Sequence, residues 1–212
     1  MHTVVCMVSD RRRFGDRGED ALVLAVAAAA TAGVDLVQVR ERDLDGRALV
    51  RLVTRCVEAS RHTRARVLVN DRVDVALAAG AHGVHLRGDS VAAARVRAIV
   101  PPGFLIGRSV HSVNEAVRAC EDGGLDYLMC GAVFPTSSKP GSDPAGLDTL
   151  SDVARASSLP VLAIGGITED TARDLARTGA AGIAAIGLFA DAATADLAAT
   201  IARVSRVFQG DD

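Results

Sequence analysis

Short apolar runs rich in β-branched residues alternate with longer stretches of helical periodicity along the whole chain. The runs Val4–Val8, Leu36–Arg40, Val67–Asn70, Gly83–Leu86, Leu105–Ser109, Tyr127–Cys130, Val161–Ile164 and Gly182–Ile186 read as strands. Such near-continuous apolar runs suit strands covered on both faces. Helices are predicted over Asp20–Ala32, Gly46–Ser60, Val73–Ala79, Ser90–Val100, Val113–Glu121, Leu147–Ala156, Asp170–Thr178 and Ala195–Phe208. Strict alternation of this kind predicts an all-parallel sheet with right-handed crossovers, and eight units close into a (βα)8 TIM barrel. A flavodoxin-like open sheet is the alternative, and it normally needs five units. No linker splits the chain, so one barrel domain over residues 1–212 is expected.

A weak internal repeat points the same way. Ala32-Gly33-Val34-Asp35-Leu36, Ala79-Gly80-Ala81-His82-Gly83, Asp122-Gly123-Gly124-Leu125-Asp126 and Thr178-Gly179-Ala180-Ala181-Gly182 share one grammar. A helix ends at a glycine, a short step follows, and an apolar strand begins. Glycine just past the last helical turn takes the left-handed conformation that stops a helix.

Composition narrows the function. Hydrophobic residues make up 49% of the chain, enough to offset chain entropy and exclude disorder. A formal charge of -2 argues against a nucleic-acid or anionic-membrane binder. Aromatics are only 3%, which argues against base-stacking platforms and predicts an aliphatic core. The stretch Ala21–Ala32 is too short to cross a membrane. The N-terminal residues run straight into a strand, with no signal peptide expected. Cys6, Cys56, Cys120 and Cys130 form no C-x-x-C pair and read as free thiols of a cytoplasmic protein. Among 24 basic residues Lys139 is the single lysine, in a Gly/Pro/Ser-rich loop, where a compact point charge differs from a planar guanidinium.

In a βα barrel the chemistry sits at the C-terminal strand ends. Strand 2 ends Gln38-Val39-Arg40-Glu41-Arg42, and period-two alternation puts Gln38, Arg40 and Arg42 on one face. Guanidinium forks there suit phosphate oxygens; a structural pairing of Arg40 with a barrel carboxylate is the alternative. Strand 3 ends in Asn70-Asp71-Arg72, an amide and a carboxylate that suit a diphosphate and a cation or cap the next helix. Strand 5 runs into Ser109-Val110-His111-Ser112. Ser112 and Glu115 predict a capping box, and His111 shares the parity of Ser109, placed to exchange a proton. His82 and His85, three apart on a strand, face opposite sides and are not expected to share a metal. Thr136, Ser138 and Lys139 in the loop Gly131–Gly146 form a candidate anion clamp and lid. Gly165 and Gly166 after strand 7, with Ile186 and Gly187 after strand 8, match the recurrent barrel phosphate site.

The runs Val37-Gln38-Val39-Arg40-Glu41-Arg42, Val69-Asn70-Asp71-Arg72-Val73-Asp74, Gly83-Val84-His85-Leu86, Gly107-Arg108-Ser109-Val110-His111-Ser112, Val133-Phe134-Pro135-Thr136 with Lys139, and Ala163-Ile164-Gly165-Gly166-Ile167 cover almost the whole chain. Together they resemble the thiamine phosphate synthase and TenI-type thiazole tautomerase superfamily of compact βα barrels. The resemblance implies a thiazole phosphate as small-molecule substrate, with neither nucleic acid nor membrane as partner; homo-oligomerisation stays open. For a synthase it implies a pyrimidine diphosphate that ionises with help from Mg²⁺ and is captured by the thiazole nitrogen. Gln38, Arg40, Asn70, Ser109, Thr136 and Lys139 match that family's binding positions, while Arg42 replaces its usual lysine. Two aspartates are implied as metal ligands. Asp71 matches the first; the second falls on Ser90, with Asp89 one residue early. For a tautomerase the resemblance implies no metal, a proton moved on a carboxythiazole phosphate, and His111 as acid/base. The run through His111 and the serine at position 90 favour the tautomerase, while the Asn70-Asp71 pair and Lys139 favour the synthase, which stands as the alternative. A non-catalytic barrel binding thiazole or thiamine phosphate, and an aldolase with Lys139 as a Schiff-base lysine, complete the set.

Overall fold

A computed structural model of the chain describes residues 2–136, 143–190 and 196–209. Eight parallel strands, β1 (Val4–Val8), β2 (Leu36–Val39), β3 (Arg66–Asn70), β4 (Gly83–Leu86), β5 (Leu105–Val110), β6 (Tyr127–Gly131), β7 (Val161–Ile164) and β8 (Gly182–Ala185), close into a barrel in sequence order. Closure comes from β8 pairing with β1, Val4 opposite Gly182 and Met7 opposite Ala185. Around it lie α1 (Gly18–Ala32), α2 (Gly46–Ser60), α3 (Val73–Ala78), α4 (Ala93–Arg97), α5 (Val113–Asp122), α6 (Gly146–Ala156), α7 (Glu169–Ala176), a short α8 (Gly187–Ala190) and α9 (Leu197–Gln209). The fold is a single (βα)8 barrel.

Alternation along each strand separates two packed layers. Inward-facing Cys6, Val8, Leu36, Leu68, Tyr127, Met129, Leu162 and Ala184 fill the barrel. Outward-facing residues such as Val5, Val37, Val67, Ile106, Leu128 and Ile183 pack with Leu22, Leu52, Leu150 and Leu175 of the helices. Each fully buried Val or Leu contributes roughly 1.5–3 kcal/mol, so the helix–barrel layer is the main source of stability. α2 shows how a helix joins it: Asp45 accepts from the Ala48 N–H at 2.8 Å, and Leu49, Leu52, Val53 and Cys56 bury one face.

The joints follow the repeat read from sequence. Gly33, Gly80, Gly123 and Gly179 all take positive φ, from 65° to 103°. The aspartates of that grammar have a shared task. Asp35, just before β2, accepts from the Val5 N–H of β1 at 2.9 Å, and Asp126, just before β6, accepts from the Ile106 N–H of β5 at 2.7 Å. Each satisfies an amide that the staggered barrel edge leaves without a strand partner.

Three features differ from expectation. A 3-10 segment, Arg11–Arg17, interrupted at Gly15, follows β1. α4 is shorter than the expected Ser90–Val100, because the Ser90 hydroxyl is engaged by the Arg87 N–H and by Asp71, and Ala92 is extended. The four-residue α8 after β8 was not expected. All four cysteines are free, and burial pushes the Cys6 and Cys56 thiols up to about 12. Among the described residues no helix is long and apolar enough to cross a membrane.

Candidate active site

A cavity of about 850 Å³ opens at the C-terminal ends of the strands. Gln38, Arg40 and Arg42 line it from β2 and the loop beyond, Asn70 from β3, and Ser109 and His111 from β5 and its loop. Thr136 lines it from the loop after β6, Gly165 and Gly166 from the end of β7, and Ile186 and Gly187 from the end of β8. Asp89 lies at its rim; Asp71 is not among the lining residues. Ser138 and Lys139 lie outside the described residues. The expected strand parity thus brings residues from six strands around one mouth.

The floor is polar. Gln38, 2% exposed, donates from Nε2 to Asn70 Oδ1 at 3.1 Å, while its Oε1 is buried with no hydrogen-bond partner. A buried carbonyl left unpaired costs about 1–3 kcal/mol, so this acceptor is poised for a donor from a ligand. Beside it runs a chain from Tyr127 Oη to His85 Nδ1 at 2.9 Å and from His85 Nε2 to Ser109 Oγ at 2.8 Å. Burial, helped by the Arg108 charge, lowers the His85 pKa to about 3, so the ring is neutral. A neutral imidazole carries one N–H. Tyr127 is buried, and an O–H without an acceptor would be costly there; donating to Nδ1 satisfies it. That assignment, made from the hydrogen-bond network, puts the ring proton on Nε2, which donates to Ser109. The Ser109 hydroxyl then keeps its own proton to donate into the cavity. Gly107 makes room for this chain: a Cβ there would lie 2.1 Å from Tyr127 Cζ.

One wall is cationic. Arg40 is half-buried, with its pKa lowered by burial and then by the Arg42 charge, and no carboxylate pairs with it among the described residues. The structural pairing falls to the neighbour. Glu41, 4% exposed, accepts from Ser9 Oγ at 2.5 Å and from the Arg11 N–H at 3.1 Å, and Ser9 Oγ in turn accepts from the Arg40 N–H at 2.9 Å. This buried cluster anchors both the end of β2 and the 3-10 segment that carries Arg13 to the cavity wall. Across the mouth, Gly165 and Gly166 have φ of 102° and 65°. A Cβ on Gly166 would meet Pro135 O at 2.5 Å and Phe134 Cβ at 2.7 Å, so the loop after β6 packs directly on this turn.

Two expectations change in detail. Ser112 accepts from the Glu115 N–H at 3.2 Å, but the Glu115 carboxylate takes the His111 N–H at 2.8 Å and lies 3.3 Å from His111 Nδ1. The capping box is therefore one-sided, and the carboxylate holds His111 instead. At the end of β3, Asp71 is hydrogen-bonded by the Ser90 hydroxyl and lies 3.2 Å from Arg87 Nε. The same Nε lies 3.1 Å from Asp89 Oδ1.

A family model described as thiamine monophosphate synthase matches residues 5–189. The chain belongs to that family. It is 42% identical over 166 residues to a thiamine-phosphate synthase of Roseiflexus castenholzii, across 78% of this chain and 71% of that protein. It is 47% identical over 141 residues to a thiamine-phosphate synthase of Methanoculleus marisnigri, across 66% of each. A solved thiamine phosphate pyrophosphorylase from Pyrococcus furiosus superposes with a TM-score of 0.83 at 31% identity, covering 99% of this chain and 96% of that one. As a member of the thiamine monophosphate synthase family the chain is an enzyme of thiamine biosynthesis. These relatives favour the synthase reading, and the preference for the tautomerase is not supported.

The Mg²⁺ implied for the family does not fit the residues present. A hydroxyl stands at the second ligand position, and a guanidinium lies between Asp71 and Asp89. Mg²⁺ asks for octahedral oxygen donors, not a neighbouring cation. Sequence reasoning missed His85, Tyr127, Arg13 and Arg87. For His85 and Tyr127 the signal was present: both take inward parity in otherwise apolar strands.

Proposed function

We propose that this enzyme joins a hydroxymethylpyrimidine diphosphate to a thiazole phosphate, releasing diphosphate and forming thiamine phosphate. The observation that carries the proposal is the paired floor, a buried unpartnered acceptor at Gln38 beside a donor at Ser109. An aminopyrimidine offers the complementary pair, an N–H and a ring nitrogen. The cavity volume supports two ring ligands rather than one, being near the upper end for drug-sized sites. Arg13, Arg40 and Arg42 face the diphosphate, with Thr136, Ser138 and Lys139 as further anion contacts. Backbone N–H groups at Gly165–Gly166 and Ile186–Gly187 take the thiazole phosphate.

Held this way, the two rings meet with little freedom left to lose. The thiazole nitrogen lone pair forms the new C–N bond to the exocyclic carbon of the pyrimidine. The C–O bond to diphosphate breaks, and its electron pair leaves with the diphosphate. No proton moves on the thiazole, so His111 lines the site without acting as an acid or base. His111→Asn tests this: coupling should stay within about tenfold of the unmodified enzyme. A loss of roughly 10²–10⁴-fold, the range for removing a general acid or base, would return His111 to a proton-transfer role and refute the mechanism.

A further inference from the structure

We infer that Arg87 supplies, from the chain itself, the positive charge that a divalent cation would otherwise bring to the leaving diphosphate. The inference rests on the proposed reaction. Its basis is the disagreement between the implied metal site and the residues found there. Asp71 has one carboxylate oxygen taken by the Ser90 hydroxyl and the other 3.2 Å from Arg87 Nε. The Arg87 N–H donates to Ser90 Oγ at 3.0 Å, so serine, arginine and aspartate form one closed set. Asp89 holds the outer side, 3.1 Å from Nε and 3.3 Å from Nη2. Arg87 reaches the cavity wall while Asp71 does not.

A pair of free carboxylates attracts a hard dication, but here a guanidinium lies between them. A dication arriving there would have to displace it against like-charge repulsion. The wall as a whole agrees: Arg13, Arg40, Arg42 and Arg87 face the cavity against the carboxylates of Asp89 and Glu115. That balance suits an anion arriving without its own metal. Arg87 is half-exposed, and Asp89, the outer partner, is largely exposed, so the fork can turn from Asp89 to phosphate oxygens while Asp71 keeps its stem end in place.

The test uses inorganic diphosphate and isothermal titration calorimetry on the full chain, in EDTA and in Mg²⁺. The unmodified enzyme should bind diphosphate in EDTA within about threefold of its affinity in Mg²⁺. Arg87→Gln should weaken binding in EDTA at least tenfold. The double variant Arg87→Gly with Ser90→Asp, which restores a second carboxylate and removes the guanidinium, should bind only when Mg²⁺ is added. Absence of binding by the unmodified enzyme in EDTA overturns the inference without any variant, and so does unchanged binding by Arg87→Gln. Thiamine phosphate assays in parallel keep the two readings apart. Metal-free diphosphate binding through Arg87 with no coupled product under any condition would sink the reaction and leave the anion site. Coupling that strictly needs Mg²⁺, with diphosphate binding that needs it too, would keep the reaction and sink the role of Arg87.

Discussion

Replacing Tyr127 with phenylalanine removes one oxygen and should disturb the site at a distance. Tyr127 Oη lies 2.9 Å from His85 Nδ1, and the ring is buried against the barrel interior. Losing the hydroxyl leaves little void but strips Nδ1 of its partner in a residue that is 1% exposed. An unsatisfied buried polar group costs about 1–3 kcal/mol. For a chain of this size each kcal/mol lowers Tm by about 2–4 °C, so Tm should fall by about 2–12 °C. The imidazole proton is then no longer held on Nε2, and Ser109 donates to the ring for part of the time instead of to substrate. One hydrogen bond is worth about 0.5–1.5 kcal/mol net, so the KM for the pyrimidine diphosphate should rise roughly two- to tenfold. Nitrogen-15 spectra of labelled enzyme report the tautomer directly: Nε2–H in the unmodified protein, a mixture in Tyr127→Phe. An Nδ1–H tautomer in the unmodified protein, or a variant with unchanged Tm and KM, would refute the reasoning.

Gln38→Leu should leave folding stability within about 1 kcal/mol of the unmodified protein, because it deletes a buried unpaired carbonyl along with one donor. Pyrimidine diphosphate affinity should nevertheless fall about 5- to 150-fold; calorimetry showing equal affinity would remove Gln38 from the floor. His85 gives an acid dependence. Its folded pKa of about 3 lies below its ordinary 6.5, so the unfolded chain takes up the proton first. This contribution to stability is complete above pH 6.5 and declines toward pH 3 by up to about 1.4 kcal/mol per pH unit. Unfolding free energies from urea titrations at pH 7 and pH 5 should therefore differ by about 2 kcal/mol on account of this group, and a His85→Gln variant should lose most of that difference. Gly166→Ala places a Cβ 2.5 Å from Pro135 O at a φ of 65°. It should destabilise the fold by about 1–3 kcal/mol and lower affinity for thiazole phosphate more than for the dephosphorylated thiazole; an equal effect on both ligands would place the phosphate elsewhere.

The barrel was legible because each level of the sequence agreed with the others. Apolar runs, helical periodicity and the glycine at each helix end all describe the same βα unit, and Gly33, Gly80, Gly123 and Gly179 adopt the backbone conformation that unit needs. Parity also placed Gln38, Arg40 and Arg42 on one wall and separated His85 from His82. Contacts between strands distant in sequence were not legible. Nothing local to His85 shows that Tyr127, 42 residues on, will reach its ring, or that Gly107 leaves the space. Arg87 was passed over for the same reason, since its meaning comes from lying between Asp71 and Asp89. Ser90 taken alone argues against a synthase, because a hydroxyl is a poor Mg²⁺ ligand beside a carboxylate. With Arg87 beside it, the substitution reads as an exchange of one cation for another.

The central claim is that one cavity holds both rings and couples them. Pyrimidine diphosphate and thiazole phosphate, mixed with the purified chain, should yield thiamine phosphate and inorganic diphosphate in equal amounts by quantitative mass spectrometry, with neither product formed when either substrate is omitted. Absence of thiamine phosphate, with carboxythiazole phosphate aromatised in the absence of any pyrimidine, would contradict it.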